Sequence, residues 1–235
     1  MISNKLQNPN MDILILVAEQ LGGLTEEMVF LGGCATGLLI TDTAASTIRV
    51  TQDVDAVIQA VSRVEYYQFS EKLRAQGFSE DRREGAPVCR WVGDDNITLD
   101  VMPMNEDILG FGNKWYAPAI ENSERITLPS GAEIQMVSAP YFLITKIEAF
   151  NGRGDGDYLL SHDIEDIIAV LDGRPEIGEE VEQADMELKA ELSKCFQFFL
   201  DDKRFVESVS GHLPPDEISQ ARSRLIIDVM EAIAA

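Results

Sequence analysis

MVFLGGCATGLLITDTAASTIRVTQDVDAVIQ, residues 28–59, decides how the rest of the chain is read. An apolar run, Met28–Leu31, ends in Gly32-Gly33. A short helix-like segment follows, and Thr51-Gln52-Asp53-Val54-Asp55 then leads into a second apolar run. Strand side chains alternate faces, so Asp53 and Asp55 project to the same side. A glycine turn beside them lets backbone N–H groups approach a ligand, and the start of the helix behind it favours an anion. Magnesium takes one or two carboxylates together with phosphate oxygens and water. The two features together are the elements of a metal–triphosphate site, with Gly32 and Gly33 toward the phosphates and Asp53 and Asp55 toward the metal. Asp100, within Ile97-Thr98-Leu99-Asp100-Val101, is a third acid in a similar strand setting, as a further ligand or a general base. Taken singly, each acid also suits an edge or solvent-facing strand position. Thr51 either offers a hydroxyl to a phosphate or simply suits a strand start.

The chain has 235 residues, enough for one large domain or two modest ones with a sizeable core. Forty-one acids against nineteen bases give a net charge of −22, which repels polyanions and argues against a nucleic-acid-coating protein. A local basic patch near Arg82, Arg83 and Arg90 remains open. The three cysteines, Cys34, Cys89 and Cys195, are scattered and read as free thiols in a reducing compartment. No apolar run approaches a membrane span and the first residues are polar, so a cytoplasmic protein with no membrane contact is expected.

Helices are expected over 11–22, 34–41 and 64–76, and strands over 27–31 and 54–61. The runs Val88–Val92 and Ile97–Met102 flank Gly93-Asp94-Asp95-Asn96, a hairpin signal that makes Asp94 and Asp95 turn residues. Further strands are expected near 115–120, 125–128 and 133–137. After Ser138 the texture turns helical: 140–151 with Pro140 in its first turn, 161–172 with Ser161 as N-cap, the acidic stretch 176–187, and about 216–233. The expected architecture is α+β, a mixed sheet flanked by helices over 1–138 followed by a helical domain over 139–235. Trp91, Trp115, Tyr66 and Tyr67 read as packing residues more readily than as base-stacking ones.

The ordered set Gly32-Gly33, Thr51-x-Asp53-x-Asp55 and Leu99-Asp100-Val101 resembles the nucleotidyltransferase superfamily with the polymerase-beta-like core. Downstream, Lys146-x-x-Ala149-Phe150-x-x-Arg153 and His162-Asp163-x-x-Asp166-Ile167 resemble its AbiEii-type branch, the toxins of abortive-infection toxin–antitoxin systems. The likeness spans residues 28–171. It implies an Mg2+-dependent enzyme that moves a nucleotidyl group from an NTP to an acceptor hydroxyl on RNA or another molecule. It implies that Lys146 contacts the nucleotide phosphates and that Asp163 supports the active site, with Arg153 and Asp166 as further nucleotide-binding positions and an antitoxin as possible partner. Residue by residue, Lys146 also reads as an exposed helical lysine, Asp163 as a first-turn acid and Arg153 as a helix-end charge. His162 stands where the branch carries arginine, which removes positive charge on the acceptor side. The rival readings are a small-molecule nucleotidyltransferase of the antibiotic-modifying kind, whose cationic acceptors an acidic surface attracts, and a nucleotide-binding protein without turnover.

Overall fold

The apolar run after Glu27 becomes β1 (Met28–Leu31), buried throughout, and the Asp-x-Asp stretch becomes β2 (Asp53–Ile58). In β2 the alternation is plain: Val54 and Ala56 are buried, while Asp53 and Asp55 are half-buried on the other face. The computed structural model describes residues 8–235. Five further strands, β3 (Ser79–Glu80), β4 (Arg90–Val92), β5 (Thr98–Pro103), β6 (Glu124–Thr127) and β7 (Glu133–Met136), complete one mixed sheet in the order β3-β4-β5-β2-β1-β7-β6. β2 runs antiparallel to β1 and parallel to β5, and β4 and β5 form the expected hairpin around Asp94–Asn96. Asp95 and Asn96 take φ of 52° and 59°, left-handed values that short polar side chains tolerate.

The chain separates into two compact units. The sheet unit comprises residues 9–35 and 50–138. It adds α1 (Met11–Leu21), α3 (Arg63–Ala75, capped by Ser62) and α4 (Tyr116–Glu121), with α2 (Gly32–Leu39) opening at its edge. The helical unit joins residues 36–49 to 139–235 and holds α5 (Ala139–Arg153), α6 (His162–Gly173), α7 (Ile177–Gln183), α8 (Met186–Asp201), α9 (Lys203–Ser208) and α10 (Glu217–Ala234). Ser161 caps α6 as expected, accepting from the Ile164 N–H. Among the described residues, no helix is long and apolar enough to cross a membrane.

Two expectations are corrected. Residues 115–120 are not a strand: Tyr116–Glu121 is helical, buries Ala119 fully, and carries Pro118 in its first turn, where a missing N–H costs nothing. No helix was expected over 188–201, yet α8 presents Leu188, Leu192, Phe196 and Phe199 as one buried stripe at helical spacing, started by an Asp185 cap.

Phe199 anchors an aromatic cluster in the helical unit. It stacks on Phe205 at 4.8 Å and meets Phe150 and Tyr158 edge-on at 6.0 and 5.9 Å. Phe199→Ala is therefore expected to cost about 3–5 kcal/mol, read as a lowered midpoint in chemical denaturation.

Candidate active site

The register of the sheet sets the site. Asp55 lies opposite Leu31 on β1 and Asp100 on β5, and Asp100 lies opposite Arg90 on β4. Directly opposed residues point to one face, so Asp55, Asp100 and Arg90 form a row across three strands, with Asp53 two residues along. Arg90 grips Asp100 through both oxygens, at 2.8 Å from Nε and 2.7 Å from Nη2, and the same Nη2 reaches Asp53 Oδ2 at 2.8 Å. The Asp100 hydrogen bonds raise the guanidinium pKa above its ordinary value against the pull of burial.

The glycine turn is fixed against this row. Gly32 has φ of +72°, and a Cβ there would fall 1.9 Å from Asp55 Oδ2. Only glycine allows both the left-handed backbone and the close approach of the carboxylate. Buried Asn10 ties the turn to the acidic strand: its Oδ1 accepts from the Thr51 N–H at 2.9 Å and its Nδ2 makes a long contact of 3.5 Å to the Gly33 carbonyl. The Thr51 hydroxyl donates to Asp53 Oδ1 at 2.7 Å. Burial first, then the charges of Asp55 and Asp53, push the Cys34 thiol up. Cys89 beside Arg90 is pushed up to about 12 by burial and then by Asp100. Both thiols stay protonated and unreactive at neutral pH.

Beside Asp53 and Arg90 lies a cleft of about 790 Å³, to which Thr51, Asp81, Arg83 and Glu84 also contribute. The basic patch left open by the sequence does not stand as free charge: Arg83 pairs with Asp81 at 2.8 and 2.5 Å, Arg82 with Glu80 at 3.1 Å, and Arg90 with the two aspartates.

The helical unit holds the second group of predicted residues. Lys146 Nζ lies 3.1 Å from Asp163 Oδ1 and 2.7 Å from Asp166 Oδ2. Arg153 binds Asp163 through both oxygens at 2.9 Å, and Arg49 binds Asp166 in the same way at 3.0 and 2.9 Å. Three cations thus meet two anions. Lys146 is buried, which corrects the alternative of an exposed helical lysine. Burial works to raise the Asp163 carboxyl, but the Arg153 hydrogen bonds and the Lys146 charge outweigh it and hold the pKa below its ordinary value. Exposed His162 pairs with Glu165 at 3.2 Å.

Two solved structures are similar to this chain. An antigenic nucleotidyltransferase-like protein from Paracoccidioides brasiliensis matches with a TM-score of 0.51 at 19% identity, over 85% of this chain and 91% of that one. JHP933 from Helicobacter pylori matches with a TM-score of 0.48 at 14% identity, over 97% of this chain and 92% of that one. The fold is nucleotidyltransferase-like. No protein-family model matches the chain, and no curated protein does.

On this nucleotidyltransferase-like fold, Asp53, Asp55, Asp100, Gly32, Gly33 and Thr51 lie in the sheet unit, and Lys146, Arg153, Asp163 and Asp166 in the helical unit. The carboxylate face suits a hard cation in kind, and one cation, the Arg90 guanidinium, already lies between Asp53 and Asp100. Among the described residues, no three His, Cys, Asp or Glu side chains form a group that could hold a metal ion as they stand. Sequence reasoning missed the roles of Arg90, Asn10 and Arg49. For Arg90 a signal existed: the hairpin centred on Asp95 puts residues 90 and 100, each five away, opposite one another.

Gly32→Ala should cost about 1–2 kcal/mol from the backbone alone, and more because Asp55 must move. Gly156→Ala, at φ +71° with nothing within 4 Å of its Cβ, should pay only the first part. Thermal unfolding of the two variants separates the contributions. A lowered folded pKa means that Asp163 stabilises above the ordinary carboxylate range and loses this as pH falls through its folded value. The stability gap between wild type and Asp163→Asn should therefore be full at pH 7 and close below roughly pH 4.

Proposed function

We propose that the protein transfers a nucleotidyl group from an NTP to an acceptor hydroxyl. The observation that carries this reading is the row of Asp55 and Asp100 with Asp53 beside it, set directly against the Gly32 turn on a nucleotidyltransferase-like fold. In such a reaction the acceptor oxygen bonds to the α-phosphorus as the bond to the β-phosphate oxygen breaks. Pyrophosphate leaves, and the hydroxyl proton passes to a carboxylate. Backbone N–H groups at Gly32 and Gly33 suit the β- and γ-phosphates, with the start of α2 behind them. Mg2+, held by Asp53, Asp55 and Asp100, would supply charge neutralisation at the phosphates and a more acidic acceptor hydroxyl. In the helical unit, Lys146 and Arg153 are held by Asp166 and Asp163. Their spacing supports an AbiEii-type toxin with an antitoxin partner as the finer assignment.

One observation favours a small cationic acceptor over RNA. The cleft beside Asp53 carries Asp81, Glu84 and Asp95, and its arginines, Arg83 and Arg90, are both paired with carboxylates. A polyanion held through phosphates needs unengaged lysines and arginines and shows steep salt dependence.

Incubation with labelled NTPs and separated pools of RNA, protein and cationic metabolites tests both levels. Label should appear with Mg2+ and fall by roughly a hundredfold or more in Asp53→Ala and Asp55→Ala, whose folds should persist. Undiminished labelling in both variants would overturn the assignment, and salt-sensitive labelling of RNA would overturn the acceptor. Lys146→Ala removes a cation from two buried carboxylates, so a stability loss of about 3 kcal/mol is expected beside any weakening of NTP binding.

A further inference from the structure

Two carboxylates that a divalent ion would need are already engaged by a residue of the chain itself. Arg90 meets Asp100 at 2.8 and 2.7 Å and Asp53 at 2.8 Å, with one nitrogen, Nη2, shared between the two acids. A guanidinium is charged at every accessible pH, so this neutralisation is permanent unless the side chain moves. The Asp100 side chain is only 9% exposed, so its charge is not left to water to screen. A small divalent ion and a planar guanidinium cannot occupy the same oxygens together. Arg90 also has room to leave, because its side chain borders the 790 Å³ cleft and is itself 24% exposed.

We propose that Arg90 is a displaceable internal counter-ion, which holds the Asp53–Asp100 pair together when no metal is bound and sets how tightly a divalent ion binds there. The inference rests on the reading of Asp53 and Asp100 as metal ligands. Arg90 is then a specificity-determining residue: it weakens binding of any divalent ion that cannot outcompete a bidentate guanidinium, and it prevents the acidic face from collecting cations indiscriminately. Without it, mutual repulsion among Asp53, Asp55 and Asp100 would favour whichever cation is nearest.

The test uses the full chain without nucleotide and measures Mn2+ binding by electron paramagnetic resonance and titration calorimetry, with thermal unfolding alongside. Arg90→Gln is expected to bind Mn2+ roughly tenfold or more tighter than wild type, since one opposing full charge is removed beside the ligands. In chelator its midpoint should fall, and Mn2+ should restore it by more than it raises wild type. Arg90→Lys, which keeps the charge but cannot grip both Asp100 oxygens, should fall between the two. Equal or weaker Mn2+ affinity in a folded Arg90→Gln overturns the proposal, as does a lost midpoint that Mn2+ fails to restore. If Arg90→Gln does not fold, wild-type affinity in Arg90→Lys overturns it. NTP turnover measured on the same samples separates the two readings. Turnover in wild type with Mn2+ affinity insensitive to position 90 removes only the role of Arg90. Absence of both Mn2+ binding and turnover removes the metal-ligand reading together with it.

Discussion

Like charges crowded on a half-buried sheet face must be compensated before the sheet can form, and in this protein one guanidinium does most of that work. Asp53, Asp55 and Asp100 share a face because the registers of β2 and β5 place them there, while the buried residues between them, Val54 and Leu99, forbid a slip by one position. The acids therefore cannot turn away from one another. Arg90 enters from the next strand at the register position opposite Asp100, from which it meets two of them. The Gly32 turn follows from the same constraint. Asp55 is pressed against it, and no residue with a side chain fits that space.

The helical unit solves a related problem with the opposite balance. Asp163 and Asp166 sit three apart on one face of α6 and are both buried, so each needs its own partner and a shared one. Lys146 is shared, while Arg153 and Arg49 each bind one carboxylate through two nitrogens. Removing any one member leaves a desolvated charge behind, which costs far more than the pair contributes over an apolar substitute. On the sheet face one arginine bridges two aspartates. In the helical unit two arginines and a lysine surround two aspartates. The first arrangement concentrates the compensation on a single side chain, and the second distributes it over three.

How far the sequence carries depends on the range of each interaction. The strands of the sheet other than the two-residue β3, the 93–96 hairpin, the helices α1, α3, α5, α6 and α10, and the Ser161 cap follow from local periodicity and turn chemistry. The shared face of Asp53 and Asp55 does too, since it needs only a period of two. The 115–120 stretch misleads because Trp115 and Tyr116 carry β-propensity, while the deciding factors are the burial of Ala119 and a proline in a first helical turn. The helix α8 hides behind an acidic stretch, although its apolar stripe is regular. The partners of the acids are least legible. Arg49 and Asp166 are 117 residues apart, and Asn10 reaches Thr51 across 41. No local pattern announces either. Arg90 was within reach, because a hairpin centre fixes every cross-strand pair once it is located.

The net charge of −22 is the observation most easily misread. It describes the sum over the chain, whereas binding responds to the field where the ligand sits. Around the predicted site residues most charges are matched in pairs or small networks, so the excess acid lies largely elsewhere, on solvated surfaces such as Glu179 and Glu187 of the 176–187 stretch. That excess neither makes nor unmakes a nucleotide site. Its effect falls on what approaches from solution: it slows a long polyanion and draws in a cation. The pairing of Arg82 with Glu80 and Arg83 with Asp81 sharpens this asymmetry, since it neutralises the one stretch of sequence dense enough in arginine to have opposed it. The cleft beside Asp53 is thus acidic by local composition as well as by total charge, and the two facts act in the same direction on any charged molecule that approaches it.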